Sequence, residues 1–141
     1  MKKEALSKSM EDYLETVLIL SKINGEARIS DIAEKLNISK PSVTEAIDKL
    51  SQDGYVYKEK YKPVSLTEKG KKLAEEVFCK HNIIKEFLIN VVGVNSEVAE
   101  EDACKMEHVV SDNTLEKLYT ILEKENYINK IDVTCKQYNN Q

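Results

Sequence analysis

Tryptophan is absent from this 141-residue sequence, which also contains only two phenylalanines and four glycines. Aromatic residues and glycine-containing turns are abundant in β-sandwiches, so their scarcity favours a mainly helical chain. Charged residues make up 33% of the sequence and hydrophobic residues 41%. That balance is typical of a folded globular protein and not of a disordered one.

Signals for secretion or membrane insertion are also lacking. No apolar segment of the kind a signal peptide needs follows the basic N-terminus, and the apolar run VLIL at 17–20 is far too short to cross a bilayer. The three cysteines, at positions 79, 104 and 135, have no paired spacing, and an odd number argues against a disulfide framework. We therefore expect a cytoplasmic protein with no membrane partner.

The net charge of −4 is unevenly distributed along the chain. Residues 22–72 carry 11 basic and 8 acidic side chains, a net of +3, whereas the rest carries 10 basic and 17 acidic side chains, a net of −7. A basic segment suits contact with nucleic acid, and an acidic one suits the binding of cations. The asymmetry indicates a DNA reader joined to a cation-binding segment.

Two short helices separated by a turn are predicted in ARISDIAEKLNISKPSVTEAIDKLSQDG. Apolar residues at helical spacing mark the first helix, and Ser30 is expected as its N-cap. Asn37 marks the turn. Ser39 is expected to cap the second helix, with Pro41 in its first turn, where a missing N–H costs nothing. Two helices in this arrangement form a helix-turn-helix.

A β-hairpin is predicted directly after the second helix, in YVYKEKYKPVSL. Tyrosine and valine favour strands, and Lys62-Pro63 marks the reversal of the chain. A hairpin in this position makes the unit a winged helix. Helical periodicity then returns, with a long helix capped by Thr67, a break at 91–96, a helix to about Val110 and a last helix at about 112–124.

A winged helix reads DNA by placing its second helix in the major groove, where the pattern of base edges is unique. Hydroxyls at the start of that helix can bond base edges or phosphates. The alternating lysines of the hairpin are expected to share one face of a strand, beside the phosphate backbone. The candidate DNA-binding residues are Ser39, Lys40, Pro41, Ser42, Thr44, Lys58, Lys60 and Lys62.

The stretch EDACKMEH at 101–108 places three candidate metal ligands close together. On a helix, Cys104, Glu107 and His108 stand at i, i+3 and i+4 and project to the same side, with Glu100 one turn earlier. A thiolate, a carboxylate and an imidazole can bind a transition ion, but three neighbours on one helix rarely complete a coordination shell. These residues alone leave the metal site open.

Other polar residues are ambiguous when taken singly. A lone histidine such as His81, in the apolar stripe of the long helix, is more often a core residue. The acidic pair Asp12 and Glu15, near the start of the first helix, is more often a favourable interaction with the helix dipole. Neither observation establishes a ligand by itself.

Five motifs, in order and spacing, resemble the DtxR/MntR family of metal-dependent repressors. They are SMEDYLE, RISDIAEKLNISKPSVTEAIDKL, YKPVSLTEKGKKLA, KHNIIKEFL and DACKMEHVVSD, and the similarity runs from about residue 9 to 124. The resemblance implies a mainly α protein, with a winged-helix DNA-binding domain at 1–72 and a helical metal-binding and dimerisation domain at 73–141. It implies a homodimer that binds palindromic operator DNA when loaded with Mn²⁺ or Fe²⁺ and represses genes of iron or manganese homeostasis.

The resemblance also implies six metal ligands, which are Asp12, Glu15, His81, Cys104, Glu107 and His108. Two of them depart from the family's patterns. Manganese sensors carry a glutamate where Cys104 stands, and iron sensors carry a methionine where Asp12 stands. A thiolate favours Fe²⁺, Co²⁺ or Zn²⁺ and carboxylates favour hard ions, so we expect Fe²⁺ or Mn²⁺, with Co²⁺ or Zn²⁺ able to substitute.

Two further departures bear on the architecture. Lys85 stands where iron sensors use a glutamate of an ancillary metal site, so a second site of that type is not expected. The chain also resembles the short members of the family, which lack the SH3-like third domain.

Two other interpretations of the residues lead to different functions. A winged-helix regulator could respond to a redox or small organic signal through Cys104 or Cys79, and its DNA binding would then ignore divalent ions. A metallohydrolase could use Glu107 as a general base beside an ion, but no glycine-rich loop or catalytic motif is present, so an enzyme is not expected. Cys79 and Cys135 are expected to be small apolar fillers.

Overall fold

A computed structural model describes residues 6–127, which form six α-helices and one two-stranded antiparallel sheet. The chain divides into two compact units, one up to Glu75 and the other from Glu76 onward. None of the helices in the described range combines the length and apolar composition needed to cross a bilayer.

The first unit contains three helices and a short hairpin. Its elements are α1 (Lys8–Asn24), α2 (Ile29–Leu36), α3 (Lys40–Gln52), β1 (Val56–Tyr57), β2 (Ser65–Leu66) and the start of α4 (Glu68–Phe87). Helix α1 packs against α2, α3 and β2, and α3 also packs against β1. The fully buried side chains of this unit include Leu14, Val17, Ile32, Val43 and Ile47. A helix-turn-helix followed by a hairpin confirms the predicted winged helix.

The end of α1 and the start of α3 follow from local capping, and the start of α3 is as the sequence predicts. Ser39 adopts an extended conformation, and its hydroxyl accepts a hydrogen bond from the backbone N–H of Ser42 at 3.3 Å. Pro41 lies in the first turn of α3, where the missing N–H leaves no partner unsatisfied. Helix α1 ends at Gly25, whose φ of 79° is readily adopted by glycine.

The predicted cap of α2 is wrong. Arg28, not Ser30, precedes the helix, and no side chain forms a capping hydrogen bond there. A β-bridge between Ala27 and Val64 holds the chain extended up to Arg28, with the N–H of Val64 donating to the carbonyl of Ala27 at 2.7 Å. Tertiary pairing with the wing therefore sets the start of this helix.

The wing is shorter than the sequence suggests. Residues Val56 and Leu66 pair, as do Tyr57 and Ser65, and β1 ends there. The lysines at 58, 60 and 62 lie beyond the strand, so the expectation that they alternate on one face of a strand is wrong.

Thr67 joins the end of the wing to α4. Its hydroxyl donates to the carbonyl of Gly54 at 2.6 Å and accepts from the N–H of Gly70 at 3.1 Å, so it caps α4 as predicted. A Cβ atom at Gly70 would overlap the carbonyl oxygen of Tyr55. Glycine at this position therefore allows the helix to lie directly against the backbone of the wing.

The second unit contains the rest of α4, a π-helical turn (Leu88–Val92), α5 (Ser96–Met106) and α6 (Asp112–Lys124). Asn95 caps α5 and Ser111 caps α6 through their side-chain oxygens. The core residues are Cys79, Ile83, Ile84, Ala103, Leu115, Tyr119 and Leu122. The prediction that α5 continues to about Val110 is wrong, because the helix ends at Met106 and Glu107 is its C-cap.

The side chain of Cys79 is fully buried in the core of the second unit. Cys135 lies outside the described residues.

Candidate metal centre and nucleic-acid interface

His81 lies at the middle of a polar cluster within the second unit. It projects from α4, and only 6% of the residue is exposed. Its Nδ1 atom lies 3.0 Å from Oε2 of Glu107 and 3.8 Å from Sγ of Cys104, while Nε2 lies 2.9 Å from Oε2 of Glu100. The small, fully buried Ala103 precedes Cys104 and packs in the same core as Ile84 of α4. The cluster is therefore built on the α4–α5 packing.

Glu107 supplies a carboxylate that is removed from solvent. Its side chain has no exposed surface, and Oε2 is in contact with His81. Oε1 has no hydrogen-bond partner, although Nε2 of His108 lies 3.3 Å away. Burying a carboxylate oxygen without a hydrogen bond is unfavourable. A bound cation would satisfy this oxygen, so the residues present fit a metal ion.

The cluster stabilises a positive charge at its centre. Burial disfavours the charged imidazole, but contacts with Cys104, Glu107 and Glu100 outweigh that effect and raise the pKa of His81 to about 11. In the metal-free protein at neutral pH, an imidazolium therefore balances the neighbouring carboxylates. An ion that binds His81 must replace this proton.

The cluster around His81 offers three different types of metal ligand. One donor atom each from His81, Glu100 and Cys104 lie within 4.8 Å of one another. Thiolate and imidazole suit Fe²⁺, Co²⁺ and Zn²⁺, whereas carboxylates suit Mn²⁺ as well. The arrangement can bind a divalent transition ion, and the donors alone do not select one.

Sequence-predicted ligands thus fall into two groups. His81, Cys104, Glu107 and His108 belong to the second unit, where the structure brings them together, with His108 in the turn after α5. Asp12 and Glu15 lie on α1 in the first unit; Glu15 is buried and Asp12 is partly buried. A buried glutamate is uncommon unless it is paired or holds a cation.

Two residues of the cluster are absent from the sequence-predicted ligand set. Oε2 of Glu100 contacts both Nε2 of His81, at 2.9 Å, and Nζ of Lys85, at 3.0 Å. Burial opposes ionisation of Glu100, but hydrogen bonds from Lys85 and His81 lower its pKa. The available signal was spacing, since Glu100 precedes Cys104 by four residues and Lys85 follows His81 by four.

The start of α3 presents the predicted DNA-binding residues to solvent. Ser39, Lys40, Pro41 and Ser42 are exposed and Thr44 is partly exposed. The hydroxyl of Ser39 donates to that of Ser42 at 2.9 Å. This end of the helix is therefore free of covering side chains in the described structure.

The wing lysines have distinct environments. Nζ of Lys58 lies 2.6 Å from Oδ1 of Asp48, which joins the wing to α3. Lys62 pairs with Glu59 at 2.9 Å on the exposed surface. Lys60 lies 5.2 Å from the ring centroid of Tyr61, within cation–π range.

A basic groove runs between the start of α2, the start of α3 and the wing. Its lining residues are Arg28, Ile29, Ser30, Lys40, Asp48, Lys58, Glu59, Lys60, Tyr61 and Lys62. Arg28, the only arginine in the sequence, was not among the predicted DNA-binding residues. Arginine is well suited to bidentate contacts with phosphates and guanine. The single arginine in this segment could therefore have been predicted as a DNA contact from the sequence.

Two protein-family models match this sequence, one in each half of the chain. Residues 5–64 match the family model described as the iron dependent repressor N-terminal DNA binding domain. Residues 67–128 match the model described as the iron dependent repressor metal binding and dimerisation domain.

Individual proteins give the same result. The chain is 41% identical over 120 residues to an uncharacterised HTH-type transcriptional regulator of Methanocaldococcus jannaschii, covering 84% of this chain and 96% of that protein. It is 35% identical over 135 residues to the HTH-type transcriptional regulator MntR of Lysinibacillus sphaericus, covering 93% and 96%. The structure of the manganese regulator SloR matches with 36% identity and a TM-score of 0.70, over 84% of this chain and 54% of that one.

This chain therefore spans about half the length of SloR but nearly all of the MntR relative. Both family models describe parts of one kind of protein, in the order in which the two units occur here. The chain belongs to the DtxR/MntR family of iron dependent repressors, which makes it a metal-responsive, DNA-binding transcriptional regulator and not an enzyme.

Proposed function

We propose that this protein represses transcription as a homodimer that binds a palindromic operator when loaded with Fe²⁺ or Mn²⁺. The observation that carries the proposal is the fully buried carboxylate of Glu107, which has one oxygen on His81 and the other without a hydrogen bond. Such an oxygen favours a cation over an empty site. We therefore expect the cluster to bind a metal ion and the winged helix to bind operator DNA in response.

The ion would be held by the six ligands that the family resemblance implies: Asp12, Glu15, His81, Cys104, Glu107 and His108. The cluster in the second unit and the burial of Glu15 on α1 support this set. Six donors of nitrogen, oxygen and sulfur suit the coordination number of a divalent transition ion. When bound, the ion supplies positive charge among carboxylates that otherwise repel one another.

Linkage between the two units is the proposed mechanism. Asp12 and Glu15 lie on α1, the first helix of the DNA-binding domain, and the other four ligands belong to the dimerisation domain. Ligands that share an ion would restrict the movement of the α3 helices of a dimer relative to each other. Half-sites lie about one helical turn apart on DNA, so a fixed spacing of the reading helices raises operator affinity.

The proposed DNA contacts lie at the start of α3 and along the wing. They comprise Ser39, Lys40, Pro41, Ser42, Thr44, Lys58, Lys60 and Lys62. The exposure of the helix start and the basic groove support this assignment. Arg28, which lines the same groove, is added to the set.

Metal identity depends on Cys104. Its thiolate favours Fe²⁺ over Mn²⁺, while the carboxylates accept either ion, so we infer that Fe²⁺ is the better fit and Mn²⁺ is close behind. Co²⁺ and Zn²⁺ are expected to substitute in vitro. The iron or manganese uptake genes of the source organism would be the regulated targets.

His108→Ala tests the proposal. The variant should remain a dimer by analytical ultracentrifugation but lose metal-induced binding to a duplex that the Mn²⁺-loaded wild-type protein selects from a random-sequence pool. Lys105→Ala, an exposed neighbour on α5, should behave as wild type. Full metal-induced binding by His108→Ala would contradict the proposed ligand set.

A further inference from the structure

The imidazole of His81 has different partners on its two nitrogens. Nδ1 faces Glu107 and Cys104, two donors that a metal ion can use. Nε2 faces Oε2 of Glu100, and that oxygen also contacts Nζ of Lys85. The two nitrogens lie on opposite sides of the ring, so one ion cannot bind both.

Glu100 is held from two sides. The same oxygen accepts from Nε2 of His81 at 2.9 Å and from the ammonium of Lys85 at 3.0 Å. Lys85 lies one turn after His81 on α4, and its side chain is only 29% exposed. The ammonium of Lys85 therefore already lies where a cation would neutralise this carboxylate.

Metal-ligating histidines commonly donate their other ring N–H to a carboxylate, which fixes the tautomer and the ring orientation. Here we propose that Lys85 and Glu100 act as positioning residues that commit His81 to bind the ion through Nδ1. Glu100 accepts the Nε2–H, and Lys85 keeps Glu100 in place. The inference rests on the proposed metal site and assigns the nitrogen that the site uses.

An ion could instead bind on the Nε2 side of the His81 ring. His81, Glu100 and Cys104 have one donor atom each within 4.8 Å of one another, and an ion bound to Nε2 would lie on the Glu100 side of the ring. A divalent ion on Oε2 of Glu100 would lie close to the ammonium of Lys85, and the two positive charges would repel each other. Lys85 thus disfavours this second arrangement and leaves Nδ1 as the ligating atom.

Nitrogen NMR of the histidines tests the assignment directly. The sequence contains only His81 and His108, so a ¹⁵N-histidine-labelled dimer gives a spectrum with two imidazoles, and His108→Asn assigns them. With Zn²⁺ as the diamagnetic probe, we expect long-range ¹H–¹⁵N correlations to show His81 with Nδ1 metal-bound and Nε2 protonated. Metal-bound Nε2 with protonated Nδ1 would overturn the inference but leave the proposed metal site intact.

Variants of Glu100 and Lys85 distinguish an effect on the orientation of His81 from an effect on folding. Glu100→Gln should weaken Zn²⁺ binding by about 10-fold or more, within the range typical of outer partners of metal ligands, and broaden or lose the Nε2–H signal. Lys85→Met should also broaden or lose the Nε2–H signal of His81. The matched control is Lys80→Met, since Lys80 lies on the same helix with similar exposure but faces Asp112.

The possible results have distinct meanings. Unchanged Zn²⁺ affinity and an unchanged Nε2–H signal in both Glu100→Gln and Lys85→Met would overturn the positioning role. If saturating Zn²⁺ shifts neither nitrogen of His81 in the wild-type protein, the proposed metal site fails, and the inference fails with it. Far-UV circular dichroism of each metal-free variant establishes that the helices are retained.

Discussion

Oε2 of Glu107 lies 3.0 Å from Nδ1 of His81, in a part of the second unit where the glutamate side chain has no exposed surface. A carboxylate and an imidazole in contact inside a protein each lose hydration, and their mutual contact opposes that loss. The second oxygen of Glu107 still lacks a hydrogen bond. A cation bound beside this pair would satisfy that oxygen.

The first prediction concerns Glu107 and metal-induced stabilisation. An ion that binds only the folded protein raises its stability by about 2.7 kcal/mol when the free ion is at 100 times its Kd. We expect this stabilisation in the wild-type protein with Mn²⁺ or Co²⁺ and its loss in Glu107→Gln, measured by thermal unfolding. Glu101→Gln, at an exposed position on α5, should retain the full shift. An equal metal-induced shift in Glu107→Gln would remove this carboxylate from the site.

The second prediction concerns Cys104 and the choice of metal. Replacing the soft thiolate with a hard carboxylate in Cys104→Glu should lower the affinity for Co²⁺ relative to Mn²⁺ and abolish sulfur-to-cobalt charge-transfer absorption. Cys104→Ser separates loss of sulfur from gain of a carboxylate. Anaerobic titration with each ion gives the ratio of affinities. A ratio unchanged in both variants would show that the thiolate is not a ligand.

The third prediction concerns Arg28 and the phosphate backbone. The plot of log affinity against log salt concentration has a negative slope, and each lost phosphate contact reduces its magnitude by about 0.9. Arg28→Ala should show that reduction on the selected duplex, and Arg28→Lys should retain most of the slope because it keeps the charge. Lys35→Ala, on α2 but outside the basic groove, is the control. Fluorescence anisotropy at several salt concentrations measures all three, and an unchanged slope in Arg28→Ala would exclude the contact.

The fourth prediction concerns the joint between the wing and α4. A Cβ at Gly70 meets the backbone carbonyl of Tyr55, which cannot move as a flexible side chain would. Gly70→Ala should therefore destabilise the protein by about 1–3 kcal/mol, the usual cost of overpacking, despite the higher helix propensity of alanine. Urea unfolding measures it, with Lys71→Ala as the neighbouring exposed control. A Gly70→Ala protein as stable as wild type would refute the close approach.

Local rules predicted much of this fold because the signals for its helix ends lie within a few residues of those ends. Ser39 and Thr67 cap α3 and α4 through hydroxyls that reach N–H groups three residues ahead. Such signals need no knowledge of distant contacts. They made the winged helix predictable without a structure.

Long-range contacts explain where sequence reasoning failed. Ser30 does not cap α2 because the bridge from Ala27 to Val64, 37 positions apart in the sequence, sets the preceding backbone. Helical spacing places Lys85 beside His81 and Glu100 beside Cys104, but it could not show that Lys85 reaches Glu100 on another helix.

The central claim is that metal binding activates operator binding. The most direct measurement is the affinity of metal-stripped protein for the selected duplex at fixed salt, before and after addition of Mn²⁺ or, anaerobically, Fe²⁺. We predict at least about a 10-fold gain on loading, matching a coupling free energy of about 1.4 kcal/mol, and its reversal by EDTA. Equal affinity of the EDTA-treated and metal-loaded protein for that duplex would contradict the account.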